Sequence, residues 1–146
     1  MSKAGSGLFS GTKGSNATLS QMRQRALEKV GNLISNTPGA KKKAMAVGAY
    51  DKSTGKSVAA FAGEIPKRIH PELRKRAEEI GGIGSHGVSN KNTVGVCAEF
   101  HVVNSLLLGG SKWSDIKLTP AIRPRTGEKM PFCANCLAMF GDLIDK

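Results

Sequence analysis

Three cysteines and one glutamate restrict what this chain can fold into more than any other feature. Cys97 opens a Cys-Ala-Glu triplet, and Cys133-Ala134-Asn135-Cys136 forms a later C-x-x-C; together they use every cysteine in the chain. Disulfide pairing would leave one thiol over. A closed structural zinc site would require a fourth Cys or a His. Of His70, His86 and His101, only His101 lies near the motif, beyond Glu99 and off the usual finger spacings. Three thiolates fit catalytic zinc, which keeps three protein ligands and leaves the fourth position to water. Zinc brings the pKa of that water toward neutrality, and a nearby carboxylate can carry its proton to a leaving group. On a helix opening at Cys97, Glu99 projects from the first turn. Metal, water and proton carrier together suit hydrolytic removal of an amine from an amidine carbon.

This constellation resembles the zinc-dependent nucleoside and nucleic-acid deaminases, in which a glutamate-bearing triplet is answered by a later P-C-x-x-C and the glutamate is not a metal ligand. With Cys as first ligand, the chain is similar to the cytidine deaminase superfamily and, within it, to bacterial toxin deaminases of the YwqJ-like type, over roughly residues 43 to 146. The resemblance implies an α/β fold of compact, three-layer cytidine-deaminase-like form. In that fold a hairpin and further strands carry two zinc-site helices packed on the sheet. It also implies Zn2+ held by Cys97, Cys133 and Cys136, with Glu99 as acid and base. The backbone N–H of Ala98 would hold the base carbonyl, and Pro131 and Phe132 would form pocket wall. The reaction implied is conversion of cytosine to uracil, cytosine over adenine following from Cys in place of His. The pattern departs at Pro131-Phe132-Cys133, where a Phe separates the usual Pro from the first Cys of the pair.

The formal net charge is +11. A surplus of that size favours polyanions, nucleic acid before an acidic membrane surface. DNA is favoured over RNA, and single strands over duplex, because a paired base must first be flipped out. Aromatic residues make up 5% of the chain, too few for an extended stacking platform. No apolar run is long enough for a membrane span, and no signal-peptide pattern follows Met1. Thiols kept reduced for a metal place the site of action in a cytosol-like compartment. The resemblance implies a toxin domain, delivered as part of a larger effector and blocked by an immunity protein. Two alternatives stand beside it: a free cytidine deaminase of salvage metabolism, and a zinc-stabilised nucleic-acid-binding module without catalysis.

Residues 1–17 read as a flexible Gly/Ser/Lys-rich lead, and 18–146 as one domain. Thr18 and Gln21 have capping-box spacing, and Leu19, Met22, Ala26, Val30, Leu33 and Ile34 recur at helical period up to Asn36. Residues 44–50 and 57–62 predict a hairpin turning at Asp51–Gly55. A short helix is expected over Pro71–Ile80. The glycine-rich stretch from 81 to 96 reads either as a substrate gate or as a disordered insert. If it is a gate, Asn90 and Asn92 would hydrogen-bond a base edge or sugar and His86 would stack on a base. His101 and Asn104 are expected to satisfy buried polar groups. Ile116–Ile122 predicts a strand weakened by Pro120, suited to a sheet edge or a strand end. Arg123, Arg125 and Lys129, in the turn before the C-x-x-C, are candidates for phosphate contact, and the arginines for a hydrogen bond to a thiolate. A last helix over Cys133–Ile144 is expected to bury Leu137, Phe140 and Ile144.

Overall fold

The structure, a computed structural model, describes residues 17–89 and 91–145. Nearly all of the predicted lead, and Asn90, lie outside the described residues.

Helix α1, Leu19–Asn36, starts where the capping box places it. Thr18 Oγ1 accepts the Gln21 N–H at 3.1 Å, and Gln21 Oε1 accepts the Thr18 N–H at 2.9 Å. Two of the orphan donors of a helix start are thereby satisfied. The buried stripe is Met22, Ala26 and Val30; Leu19, predicted to belong to it, is 52% exposed, so burial begins one turn later.

Strand β1, Ala46–Asp51, is buried along its whole length, as a strand covered on both faces must be. Val47 and Ala49 join the main core, while Tyr50 packs with Met22 and Ala26 of α1. Gly48 faces α1 as well: a Cβ there would lie 2.8 Å from the Ala26 carbonyl oxygen, so helix backbone rests directly on strand backbone. Strand β2, Ser57–Phe61, pairs antiparallel with β1, from Ala46↔Phe61 to Tyr50↔Ser57, giving the predicted hairpin. Its turn is held by Asp51 Oδ1, which accepts the Ser53 N–H at 2.8 Å.

The other edge of β1 carries two short strands where one was predicted. Strand β3, Ile116–Leu118, pairs Ala49↔Leu118 and Asp51↔Ile116, and strand β4, Ala121–Ile122, pairs Ala46↔Ile122. Between these pairs β1 advances three residues and the facing chain four, so Thr119–Pro120 forms a one-residue bulge. Thr119 keeps the break satisfied: its N–H donates to the Gly48 carbonyl at 2.9 Å, and its Oγ1 accepts the Gly48 N–H at 3.0 Å. The proline marks this bulge and the end of β3, one of the two places predicted for it; it does not mark the sheet edge, because β4 continues into a further hairpin with β5, Lys129–Met130. The sheet runs β2-β1-β4-β5, with β3 also on β1.

Helix α3 covers the face opposite α1, and two further helices join the same core. Helix α2, Pro71–Glu78, buries Leu73 and Ala77. Helix α3, Ala98–Leu108, is buried at Ala98, Glu99, Phe100, Val102, Val103, Asn104, Leu106 and Leu107. Helix α4, Ala134–Phe140, continues into a 3₁₀ turn, Gly141–Leu143. Leu137, predicted to pack inward, is 53% exposed. The phase of α4 is set by Cys136, Met139, Phe140 and Leu143, which face the core at helical spacing and leave Leu137 outside. The result is the expected α/β arrangement of three layers: α1, the sheet, and the helices that bear the cysteines. No helix among the described residues is long and apolar enough to cross a membrane.

Candidate metal centre and its cavity

Two helix starts meet at one point. Cys97 is the N-cap of α3 and Cys133 the N-cap of α4, both in extended backbone conformation. Each thiol therefore sits where a helix presents free N–H groups and the positive end of its dipole, an environment that favours thiolate. Cys136, one turn into α4, completes the group. The three Sγ atoms lie within 4.8 Å of one another, and Cys97 and Cys133 are 3.5 Å apart. Zn–S bonds of about 2.3 Å in tetrahedral geometry hold sulfurs about 3.8 Å apart. Both the donor set and the spacing fit zinc.

The three sulfurs differ in their hold on a proton. Hydrogen bonds from the Cys136 and Cys97 thiols, with the Cys136 N–H at 3.5 Å, push Cys133 strongly toward thiolate. Donation to Cys133 raises Cys97 and Cys136 above the usual thiol range, and burial raises both further. A dication would relieve this by taking all three as thiolates, with release of protons. Glu99 is 5% exposed. Burial is the main force raising its carboxyl above the usual range, and the charge at Cys133 adds to it.

Beside the sulfurs opens a cavity of about 370 Å³, within the size range of small-molecule sites. Cys97, Ala98, Glu99 and Cys133 line one side; Met130, Pro131 and Ala121 come from the β4–β5 hairpin, Met45 from the start of β1, and Asn92 from the glycine-rich loop. Ala98, Pro131 and Asn92 thus stand together where the sequence placed substrate. Phe132 packs instead against the core, turned there because Pro131 takes the wall and Cys133 the cluster. His86 is exposed and engages through its backbone carbonyl, not at the cavity. Arg125 and Lys129 are exposed on the β4–β5 turn. Among the described residues Arg123 Nε, though buried, has no hydrogen-bond partner. The donors acting on the thiols are one another and backbone N–H groups, where the sequence had suggested Arg123 or Arg125. His101 Nε2 is also buried without a partner, against expectation, whereas Asn104 is satisfied: its Oδ1 accepts the His70 N–H at 2.9 Å and its Nδ2 donates to the Arg68 carbonyl at 2.8 Å.

Sequence reading passed over Asn135. It is 2% exposed and ties the glycine-rich loop to α4. Metal chemistry leaves the two inner positions of a C-x-x-C free, so nothing in the spacing pointed to it. The loop itself is held in place: Gly84 N–H donates to the Val94 carbonyl at 2.9 Å and Val94 N–H to the Ser85 carbonyl at 2.8 Å.

No protein-family model, curated protein or solved structure matches this chain. What stands is a compact α/β fold with a three-cysteine cluster able to bind a metal ion, consistent with zinc-binding deaminase-like proteins in general.

Proposed function

We propose that the protein is a zinc-dependent hydrolytic deaminase that converts cytosine to uracil in nucleic acid. The observation that carries this reading is the placement of a buried carboxylate, Glu99, with Cys97 and Cys133 on the wall of one cavity. Zinc bound by Cys97, Cys133 and Cys136 would supply an acidified water at neutral pH. Glu99 takes a proton from the attacking water and delivers it to ring N3; it then carries the remaining hydroxyl proton to the exocyclic amine, so that the C4–N bond breaks, ammonia leaves and the C4 carbonyl of uracil forms. Burial raises the Glu99 carboxyl above the ordinary carboxylate value, which favours return of a proton once accepted. Ala98 opens α3, and the N–H groups of a first helical turn have no partner within the helix. One of them is available to hold the base carbonyl. Pro131 and Asn92 close the wall on the substrate side.

Charge supports a polymeric substrate. Lys43, Lys91 and Lys129 each directly precede a residue that lines the cavity, namely Ala44, Asn92 and Met130. Three segments that wall the cavity thus each carry a basic residue, the class of side chain that meets phosphates. With Arg125, they provide the sequence-independent part of binding. Single-stranded DNA is the favoured substrate. A toxin role, with an immunity protein as partner, follows only from the resemblance of the Cys-Ala-Glu and C-x-x-C motifs.

The test compares a cytosine-containing oligonucleotide with free cytidine, reading uracil by glycosylase-dependent strand cleavage and by chromatography. Turnover of the oligonucleotide is expected, and Glu99→Gln should lower it by roughly 10²–10⁴-fold with zinc content unchanged. Preference for free cytidine would transfer the reading to nucleoside salvage. Absence of uracil from any substrate, with zinc bound, would leave a binding module.

A further inference from the structure

Every polar atom of the Asn135 side chain is used outside its own helix. Oδ1 accepts the Val88 N–H at 2.9 Å; Nδ2 donates to the His86 carbonyl at 3.1 Å and to the Asn92 carbonyl at 3.2 Å. The loop closes tightly on this carboxamide. Gly87 has φ +61°, and a Cβ there would collide with Asn135 Oδ1 and lie 2.9 Å from Val94 Cγ2. Any side chain at 87 is opposed by backbone conformation and by space. The residue so anchored, Asn92, lines the cavity, and Asn135 sits between two of the three cysteines.

We propose that Asn135 is a positioning residue that makes the cysteine cluster and the Asn92 wall of the cavity one mechanical unit. Metal held by Cys133 and Cys136 would fix the start of α4; Asn135 would pass that constraint to residues 86–88 and to Asn92. Coupling of this kind is reciprocal, so loosening the loop must also weaken the metal. The metal linkage is independent of the deaminase reading; the effect on substrate rests on it.

Amide hydrogen exchange is read at Val88 in the zinc-loaded protein, with the Gly48 and Thr119 amides of the sheet as reference. In Asn135→Ala, Val88 is expected to exchange roughly tenfold faster or more, the reference amides unchanged, since a part-buried hydrogen bond is lost and its donor is left unmet. In competition with a chromogenic chelator, zinc is expected to be held roughly tenfold more weakly. Gly87→Ala keeps Asn135 but fills its space. It should give the same two changes, and the double variant should add little to either, because both act on one contact. On a cytosine oligonucleotide KM should rise more than kcat falls. No turnover in the wild type would defeat the deaminase reading and leave the exchange and metal results to decide this one. Unchanged Val88 exchange in the variants, unchanged zinc affinity, or additive effects of the two substitutions would overturn the proposal. If Asn135→Ala does not fold, Val88 exchange and zinc affinity in Gly87→Ala decide between the same two outcomes.

Discussion

The two faces of the sheet hold polar clusters of opposite character. On the α1 face, Arg23, Tyr50 and Asp145 satisfy one another. Arg23 Nε donates to Asp145 Oδ2 at 2.7 Å, and the Tyr50 hydroxyl donates to the same oxygen at 2.6 Å. Burial alone would raise the Asp145 carboxyl, but these two donors outweigh it and hold it below its ordinary value. Burial, and then the same carboxylate, pushes Tyr50 upward, so it stays a neutral donor. On the opposite face, Cys97, Cys133, Cys136 and Glu99 are groups of one potential sign, crowded together and mostly buried. The first cluster is complete within the chain. The second is able to bind a metal ion. A cluster that balances its own charges serves stability; one that does not is arranged for a ligand.

The contrast breaks most visibly at the metal side. Cys136→Ser should weaken zinc by more than the roughly 10–100-fold that outer partners of a metal site cost, and turnover should vanish with it. Chelator competition and metal analysis measure both. The same change should leave the acid sensitivity of the Arg23–Asp145 side untouched. Asp145→Asn should act the other way, lowering stability by about 2 kcal/mol in thermal or denaturant unfolding with zinc affinity unchanged. Its pH dependence follows from sign. A carboxyl depressed in the folded state stabilises above its unfolded pKa, about 3.9, and that contribution is lost as pH falls through the lower folded value. The variant should therefore flatten the acid limb of the wild-type stability curve below about pH 4.

Gly48→Ala tests whether the α1 face tolerates any thickening. A methyl meeting the Ala26 carbonyl at 2.8 Å should cost about 1–3 kcal/mol in unfolding experiments, again without loss of zinc. The smallest effect is expected at the surface. Arg125→Ala should leave fold and metal intact and reduce by about one the slope of log affinity for single-stranded DNA against log salt.

The cysteines, Glu99 and the α1 cap were legible because their chemistry demands particular residues at particular spacing. The hairpin was legible because β1 and β2 are apolar runs joined by an Asp-to-Gly turn. Other features depend on contacts that no local pattern records. Asn135 is one of two free positions inside the C-x-x-C, and only the returning loop gives it work. Leu137 fitted an apolar helix equally well in either phase until Cys136 fixed which side faces the core. Pro120 was a correct sign of interruption, but an interruption within a strand and one at its end look alike in sequence.

That interruption has a consequence for the shape of the cavity. Paired residues on adjacent strands point to the same side of a sheet, and one added residue reverses the parity of all that follow. Ile122 pairs with Ala46 and so turns toward α1, which leaves Ala121 to face the cysteines. Had the same sequence paired in regular register, Ala121 would fall opposite Ala46 and turn toward α1, and Ile122 would turn to the cysteine side. The room available to a substrate ring is therefore an arithmetic result: the odd residue at Thr119–Pro120 decides that the smaller of two neighbours looks inward.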